Sequence, residues 1–171
     1  HPLLAVLSSL TAEPLDNGTE HFQASSAQVI TFDVGNPADN LIPAKATASV
    51  NIRFNDKHSS QSLQDWINKA VEPHKANVSV RFRISGESFI YPPEAFGALI
   101  ADVVEDETGR RPEYSTAGGT SDARFIKDIC PVAEFGLVGQ TMHKVDERVD
   151  VADLTALTQI YASLLQRYFS G

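Results

Sequence analysis

Between Lys45 and Phe54 the chain alternates without a break. Ala46, Ala48, Val50, Ile52 and Phe54 fall on one side, and Thr47, Ser49, Asn51 and Arg53 on the other. A period of two marks a half-buried antiparallel strand, because successive side chains of extended backbone point to opposite faces. Two more segments read as its partners. Ala27 to Val34 is one, with Val29, Thr31 and Asp33 on one face and Ile30, Phe32 and Val34 on the other. The second holds Val78, Val80, Phe82 and Ile84. Helical spacing accounts for the rest of this half. Leu3, Val6, Leu7 and Leu10 predict a helix over 3–11 that stops near Pro14. Leu63, Trp66, Ile67, Ala70 and Val71 predict another, capped by Ser59 or Ser60 and ending before Pro73. Asp16-Asn17-Gly18 and residues 35–40 read as turn and loop. The order α-β-β-α-β expects helices on one face of a small antiparallel sheet. Such a sheet leaves an edge strand unpaired, which is either protected or used to join another chain.

The second half reads differently. Pro92-Pro93 precedes a helix carrying Phe96, Leu99, Ile100, Val103 and Val104, ending at Gly109. A small-residue loop (115–122), a short helix (123–128), a short apolar strand (132–135) and a loop (136–147) follow. Asp150 then caps a last helix whose apolar face holds Leu154, Leu157, Ile160, Tyr161, Leu164, Leu165 and Tyr168. This pattern suits an α/β layer, but it is short of strands for a complete sheet. The overall expectation is α/β.

Length and charge narrow the function. The 171 residues suffice for one sizeable domain or two small ones. A net charge of −8 argues against nucleic acid or an anionic membrane as partner. No apolar run approaches the ~18 residues of a membrane span. The single cysteine, Cys130, has no internal partner, so a reducing compartment, the cytoplasm, is expected; beside Pro131 it reads as a small buried side chain. The chain opens His1-Pro2-Leu3-Leu4 with helical spacing and no Met, which suggests a piece of a longer chain; a processed terminus is the alternative.

Two segments could carry chemistry. In Gly118-Gly119-Thr120-Ser121-Asp122, two glycines permit close backbone approach to a ligand. The next helix would offer amides to an anion, and Arg124 in its first turn could clamp a carboxylate. The other reading is a tight turn with Arg124 in solvent. His143 lies in a loop after an apolar strand, where a metal ligand or reacting group could stand, but a metal needs three or four donors and no other His, Cys or Asp stands at ligand spacing. Arg53 reads as a solvated strand residue, Asn40 as a turn residue, and His21, His58 and His74 as surface residues. No Ser-His-Asp array, P-loop or dinucleotide fingerprint occurs.

Ser115-Thr-Ala-Gly-Gly-Thr-Ser-Asp-Ala-Arg-Phe125, Glu134-Phe-Gly136 and Thr141-Met-His-Lys-Val-Asp-Glu147, with Asp39-Asn-Leu-Ile-Pro43, Asn51-Ile-Arg-Phe54 and Ser85-Gly86, together resemble the succinyl-diaminopimelate desuccinylases. These are a branch of the di-zinc aminoacylase and metallopeptidase family. The resemblance covers essentially the whole chain. It implies an α+β lid and dimerisation domain over 1–87, with its N-terminal edge missing. It further implies the C-terminal portion of an α/β zinc-hydrolase catalytic domain over 88–171. Carried over residue by residue, His143 would be the last zinc ligand of a two-zinc site. Gly119, Thr120 and Arg124 would hold the carboxylates of a small polycarboxylate substrate. Asn40, Arg53 and Ser85 would be substrate-contacting residues of the lid. The remaining ligands, the carboxylate base and a lid histidine would lie upstream, so the segment alone is expected to be inactive. Gly139 stands where some members carry an Asn that touches substrate. The implied partner is a second copy, joined through the lid sheet. An acetylornithine deacetylase-like or carboxypeptidase-like hydrolase, or a stand-alone dimerisation module, would fit the same pattern.

Overall fold

Pro2 opens the first helix, α1 (Pro2–Thr11), where its missing amide hydrogen costs nothing. Val6, Leu7 and Leu10 form its buried stripe. The computed structural model describes residues 1–117 and 121–170 and divides the chain into two units, His1–Phe89 and Ile90–Gly171. In the first unit, α1 is followed by β1 (Ser26–Asp33), β2 (Thr47–Arg53) and α2 (Ser60–Val71), with one 3-10 turn over Glu72–His74. Ser59 caps α2: its side chain accepts from the Ser62 amide at 3.1 Å, and the Ser62 hydroxyl accepts from the Ser59 amide at 3.0 Å. The Glu87 carboxylate accepts from the free amide of Ser60 at 2.9 Å, where the helix dipole favours negative charge. Val6 and Leu10 pack with Ile67 and Val71, and Ile52, Trp66, Ala70 and Val78 close over them.

β1 and β2 pair antiparallel, and the ladder corrects the expected faces of β1. Ala27 and Val29 lie opposite Ile52 and Val50; after one extra residue, Thr31 and Phe32 lie opposite Ser49 and Ala48. The irregularity is a bulge at Ile30. An inserted residue shifts everything beyond it to the other face, so Ala27, Val29 and Phe32 share the side of Ile52, Val50 and Ala48, and Thr31 opposes Ser49. Strict alternation had separated Val29 from Phe32.

The expected third strand is also corrected. Among the described residues the only ladder is β1–β2. Residues 78–84 carry no strand pairing, and Val80, Phe82 and Ile84 stay exposed while Val78 reaches the core. Alternation assigns faces, but a strand exists only through ladder bonds to a neighbour. The same holds for 132–135, where no strand forms.

One carboxylate ties the connections of this unit together. Asp16 Oδ1 accepts from the amides of Gly18 (2.6 Å) and Ser25 (3.2 Å) and from Asn55 Nδ2 (2.7 Å), and its Oδ2 lies 3.0 Å from His58 Nε2. Ser25 Oγ accepts from the Asn55 amide at 3.0 Å. Ser25 and Asn55 are buried, and the Asp16 side chain is 7% exposed. His58, expected at the surface, is thus a partner of this cluster. Gly18 has φ +85°, and a Cβ there would stand 2.8 Å from the Phe22 carbonyl oxygen, so the turn requires glycine. Burial pushes the Asp16 carboxyl up, but hydrogen bonds from Ser25, Gly18 and Asn55 together outweigh it and hold the group well below the usual carboxylate range.

In the second unit, α3 (Ala95–Thr108) ends at Gly109, which is left-handed (φ +69°) and donates to the Glu105 carbonyl at 2.7 Å. α4 (Ala123–Ile126) is a single turn, shorter than expected. α5 (Val151–Ser170) packs on α3: Ile100, Val103, Val104 and Ile160 form the core, flanked by Phe96, Leu99, Phe135 and Leu164. The Tyr161 hydroxyl donates to the Phe135 carbonyl, holding 132–135 in place of a ladder. The apolar face of α5 is wider than α3 covers, so Leu154, Tyr161, Leu165 and Tyr168 remain exposed. Cys130, expected to be buried, is exposed.

Replacing Asp16 by Asn keeps the shape but turns an amide donor toward groups that also donate. Asp16→Asn is expected to cost roughly 1–3 kcal/mol at pH 7. Because the folded-state pKa is depressed, the carboxylate's contribution is complete above the ordinary value of 3.8 and is lost as pH falls below it. Urea denaturation of both proteins should therefore show a gap that narrows from pH 6 to pH 3; a gap that widens would contradict this account.

Candidate functional site

The loop between residue 135 and α5 is built from tight turns. The Met142 amide donates to the Gly139 carbonyl (3.2 Å), and the Lys144 amide to the Thr141 carbonyl (3.0 Å). Two non-glycine residues here are left-handed, His143 (φ +63°) and Asp146 (φ +58°). Such residues are uncommon and cost about 1 kcal/mol or more each unless their surroundings hold them. The holding contact is Thr141. Its hydroxyl donates to the Arg148 carbonyl at 2.6 Å and accepts from the Arg148 amide at 3.0 Å. The loop is thereby closed on itself, and the His143 side chain stands exposed at its tip.

Arg124 sits on α4. Its guanidinium carbon lies 4.6 Å from the centre of the Phe125 ring. Its Nε is buried, with no hydrogen-bond partner among the described residues, a donor state suited to an incoming acceptor. The expected helix N-terminus for an anion is not supplied: one turn of helix sums too few peptide dipoles. Instead the Ser121 hydroxyl accepts from the Ala123 amide at 3.1 Å. Gly119 and Thr120, the other carboxylate-binding candidates, lie outside the described residues.

The three candidates of the first unit are exposed. Arg53 ends β2 opposite Ser26, while Asn40 lies in the connection beyond the Asp33–Thr47 end of the ladder. Six steps of strand, about 20 Å, separate the two ends. Ser85 follows the unpaired extended segment. A cleft of about 310 Å³ in this unit is lined by Ser9, Glu13, Pro14, His58, Ser62 and Trp66 among others, and by none of these candidates.

As a metal donor, an exposed imidazole on a fixed turn has the right chemistry. It is one donor where three or four are needed. Among the described residues no three His, Cys, Asp or Glu side chains converge for a metal, His143 included.

Residues 8–167 match the peptidase family M20/M25/M40. The chain belongs to this family. Individual relatives agree. The chain is 58% identical, over 98% of its length, to a succinyl-diaminopimelate desuccinylase of Gluconacetobacter diazotrophicus, of which it covers 43%. It is 56% identical over 99% of its length to one of Methylorubrum populi, covering 45%, and 55% identical over its full length to one of Rhodospirillum rubrum, covering 45%. The chain thus spans less than half the length of these curated relatives.

Sequence reasoning missed two features. The Thr141–Arg148 closure left no signal, since a side chain bonding loop backbone makes no helix or strand pattern. The Asp16–His58 pair, 42 residues apart, is equally invisible to local spacing, though Asp16-Asn17-Gly18 did mark the turn that begins it.

Glycine adopts left-handed backbone without the Cβ clash. His143→Gly is therefore expected to raise the stability of the chain by about 1 kcal/mol, read as a higher thermal midpoint. A lower midpoint would show that the imidazole itself supports the fold.

Proposed function

We propose that this chain is part of a metal-dependent amide hydrolase that removes succinate from N-succinyl-LL-2,6-diaminopimelate, a step of diaminopimelate and lysine biosynthesis. The observation that carries this reading is the likeness, along nearly the whole chain, to curated desuccinylases of the same family. In this reading residues 1–87 are lid and dimerisation domain, and 88–171 are the C-terminal part of the catalytic domain. His143 serves as one ligand of a two-zinc centre. The Nε of Arg124, buried and without a hydrogen-bond partner among the described residues, supports a role in gripping a substrate carboxylate, with Gly119 and Thr120 near it in sequence. Asn40, Arg53 and Ser85 contact substrate from the lid. Arg53 ends β2, and Asn40 lies in the connection between β1 and β2. Hydrolysis consumes one water: its hydroxyl goes to the succinyl carbon, the C–N bond breaks, and the amine leaves with the proton.

The partner is a second copy, joined through the lid sheet; a two-stranded ladder leaves backbone groups on its outer edges to be paired. A net charge of −8 disfavours nucleic acid and anionic membrane. No helix among the described residues is long and apolar enough to cross a membrane. The single cysteine suits the cytoplasm.

The product of the complete open reading frame, supplied with zinc, should hydrolyse N-succinyl-LL-2,6-diaminopimelate far better than N-acetylornithine. His143→Ala should abolish turnover, and the 171-residue chain alone should show none. Preference for N-acetylornithine would favour the sister deacetylase, and full activity of the short chain would overturn the assignment of the remaining site to other residues.

A further inference from the structure

A ligand imidazole at the tip of a loop is useful only if the loop holds still. The 141–148 loop pays for two left-handed residues, His143 and Asp146, and few contacts hold it. The His143 amide lies 3.4 Å from Glu147 Oε2, a long bond. Lys144 Nζ reaches the Gln140 carbonyl at 2.8 Å, but on a flexible stem. Beside the backbone bond from the Lys144 amide to the Thr141 carbonyl at 3.0 Å, the Thr141 hydroxyl contributes two bonds, at 2.6 and 3.0 Å, to both polar groups of one residue, Arg148. A hydroxyl is among the few side-chain groups that can donate and accept at once, and threonine's branched Cβ restricts its χ1.

We infer that Thr141 is a positioning residue: by bonding the carbonyl and the amide of Arg148 it locks the loop that presents His143. The inference rests on the reading of His143 as a metal ligand. It explains why a threonine stands at the loop entrance, and it requires the hydroxyl rather than the bulk. Valine has threonine's shape without the donor and acceptor, and serine keeps both.

The test compares Thr141→Val, Thr141→Ser and His143→Ala. In the 171-residue chain, hydrogen exchange at the Arg148 amide should lose protection in Thr141→Val and keep it in Thr141→Ser. In the product of the complete open reading frame, zinc affinity measured by chelator competition should fall about 10–100-fold in Thr141→Val and stay near wild type in Thr141→Ser. With zinc saturating, the KM for N-succinyl-LL-2,6-diaminopimelate should be unchanged. If Thr141→Val does not fold, Thr141→Ala carries the same comparison. If His143→Ala leaves zinc affinity unchanged, the ligand reading fails. If His143→Ala weakens zinc binding and the threonine variant that folds does not, or if Thr141→Ser behaves like Thr141→Val, the positioning inference is overturned.

Discussion

A carboxylate cannot be buried unless donors converge on it. Asp16 meets that demand with groups from every connection at one end of the first unit: Gly18 after α1, Ser25 before β1, Asn55 after β2 and His58 before α2. The helices and strands of this unit are short, and α1 has no side-chain cap of its own. Their mutual placement depends on this shared acceptor as well as on the apolar seam between α1 and α2. Charge-assisted bonds are stronger than neutral ones, so the cluster fixes directions where the hydrophobic seam fixes only proximity.

The second unit is organised on another basis. A single seam between α3 and α5 supplies its buried core, and segments beyond the seam are held by individual polar contacts. The Tyr161 hydroxyl secures the Phe135 carbonyl, while Ser163 with Glu107 at 2.6 Å and Arg167 with Asp106 at 2.7 Å tie the seam helices α5 and α3 to each other. Such a frame leaves the loop carrying His143 to order itself, and Thr141 does so from within. Of the candidate site residues, Asn40, Ser85 and His143 lie outside helices and strands, Arg124 sits on a one-turn helix and Arg53 ends β2; the regular elements serve as support.

Much of the secondary structure was legible. The stripes at Val6, Leu7 and Leu10, at Leu63, Ile67 and Val71, and at Ile100, Val103 and Val104 predict the three helices that carry most of the core; Gly109 marked a stop, and of the two candidate caps Ser59 and Ser60 it is Ser59 that starts α2. The alternation of 47–53 appears as β2. Residues 78–84 and 132–135 misled, because a two-residue period records which side chains share a face and says nothing about a neighbouring strand. Ile30 misled in the opposite way: one bulged residue reverses every face beyond it.

The motifs around Gly118–Phe125 and Thr141–Glu147 were legible as a family signature, because chemistry needs particular residue types in a particular order. Sequence alone therefore determined the helical stripes, the strand faces up to the bulge and the family to which this chain belongs, all of which are encoded in local order and spacing. Only the tertiary structure decided that Asp16 gathers Ser25, Asn55 and His58, that Ile30 bulges out of the ladder, and that Thr141 closes on Arg148. Those features depend on side chains meeting backbone or distant residues in loops and on an inserted residue, none of which leaves a helix or strand pattern, so they come into being only when the backbone folds back on itself.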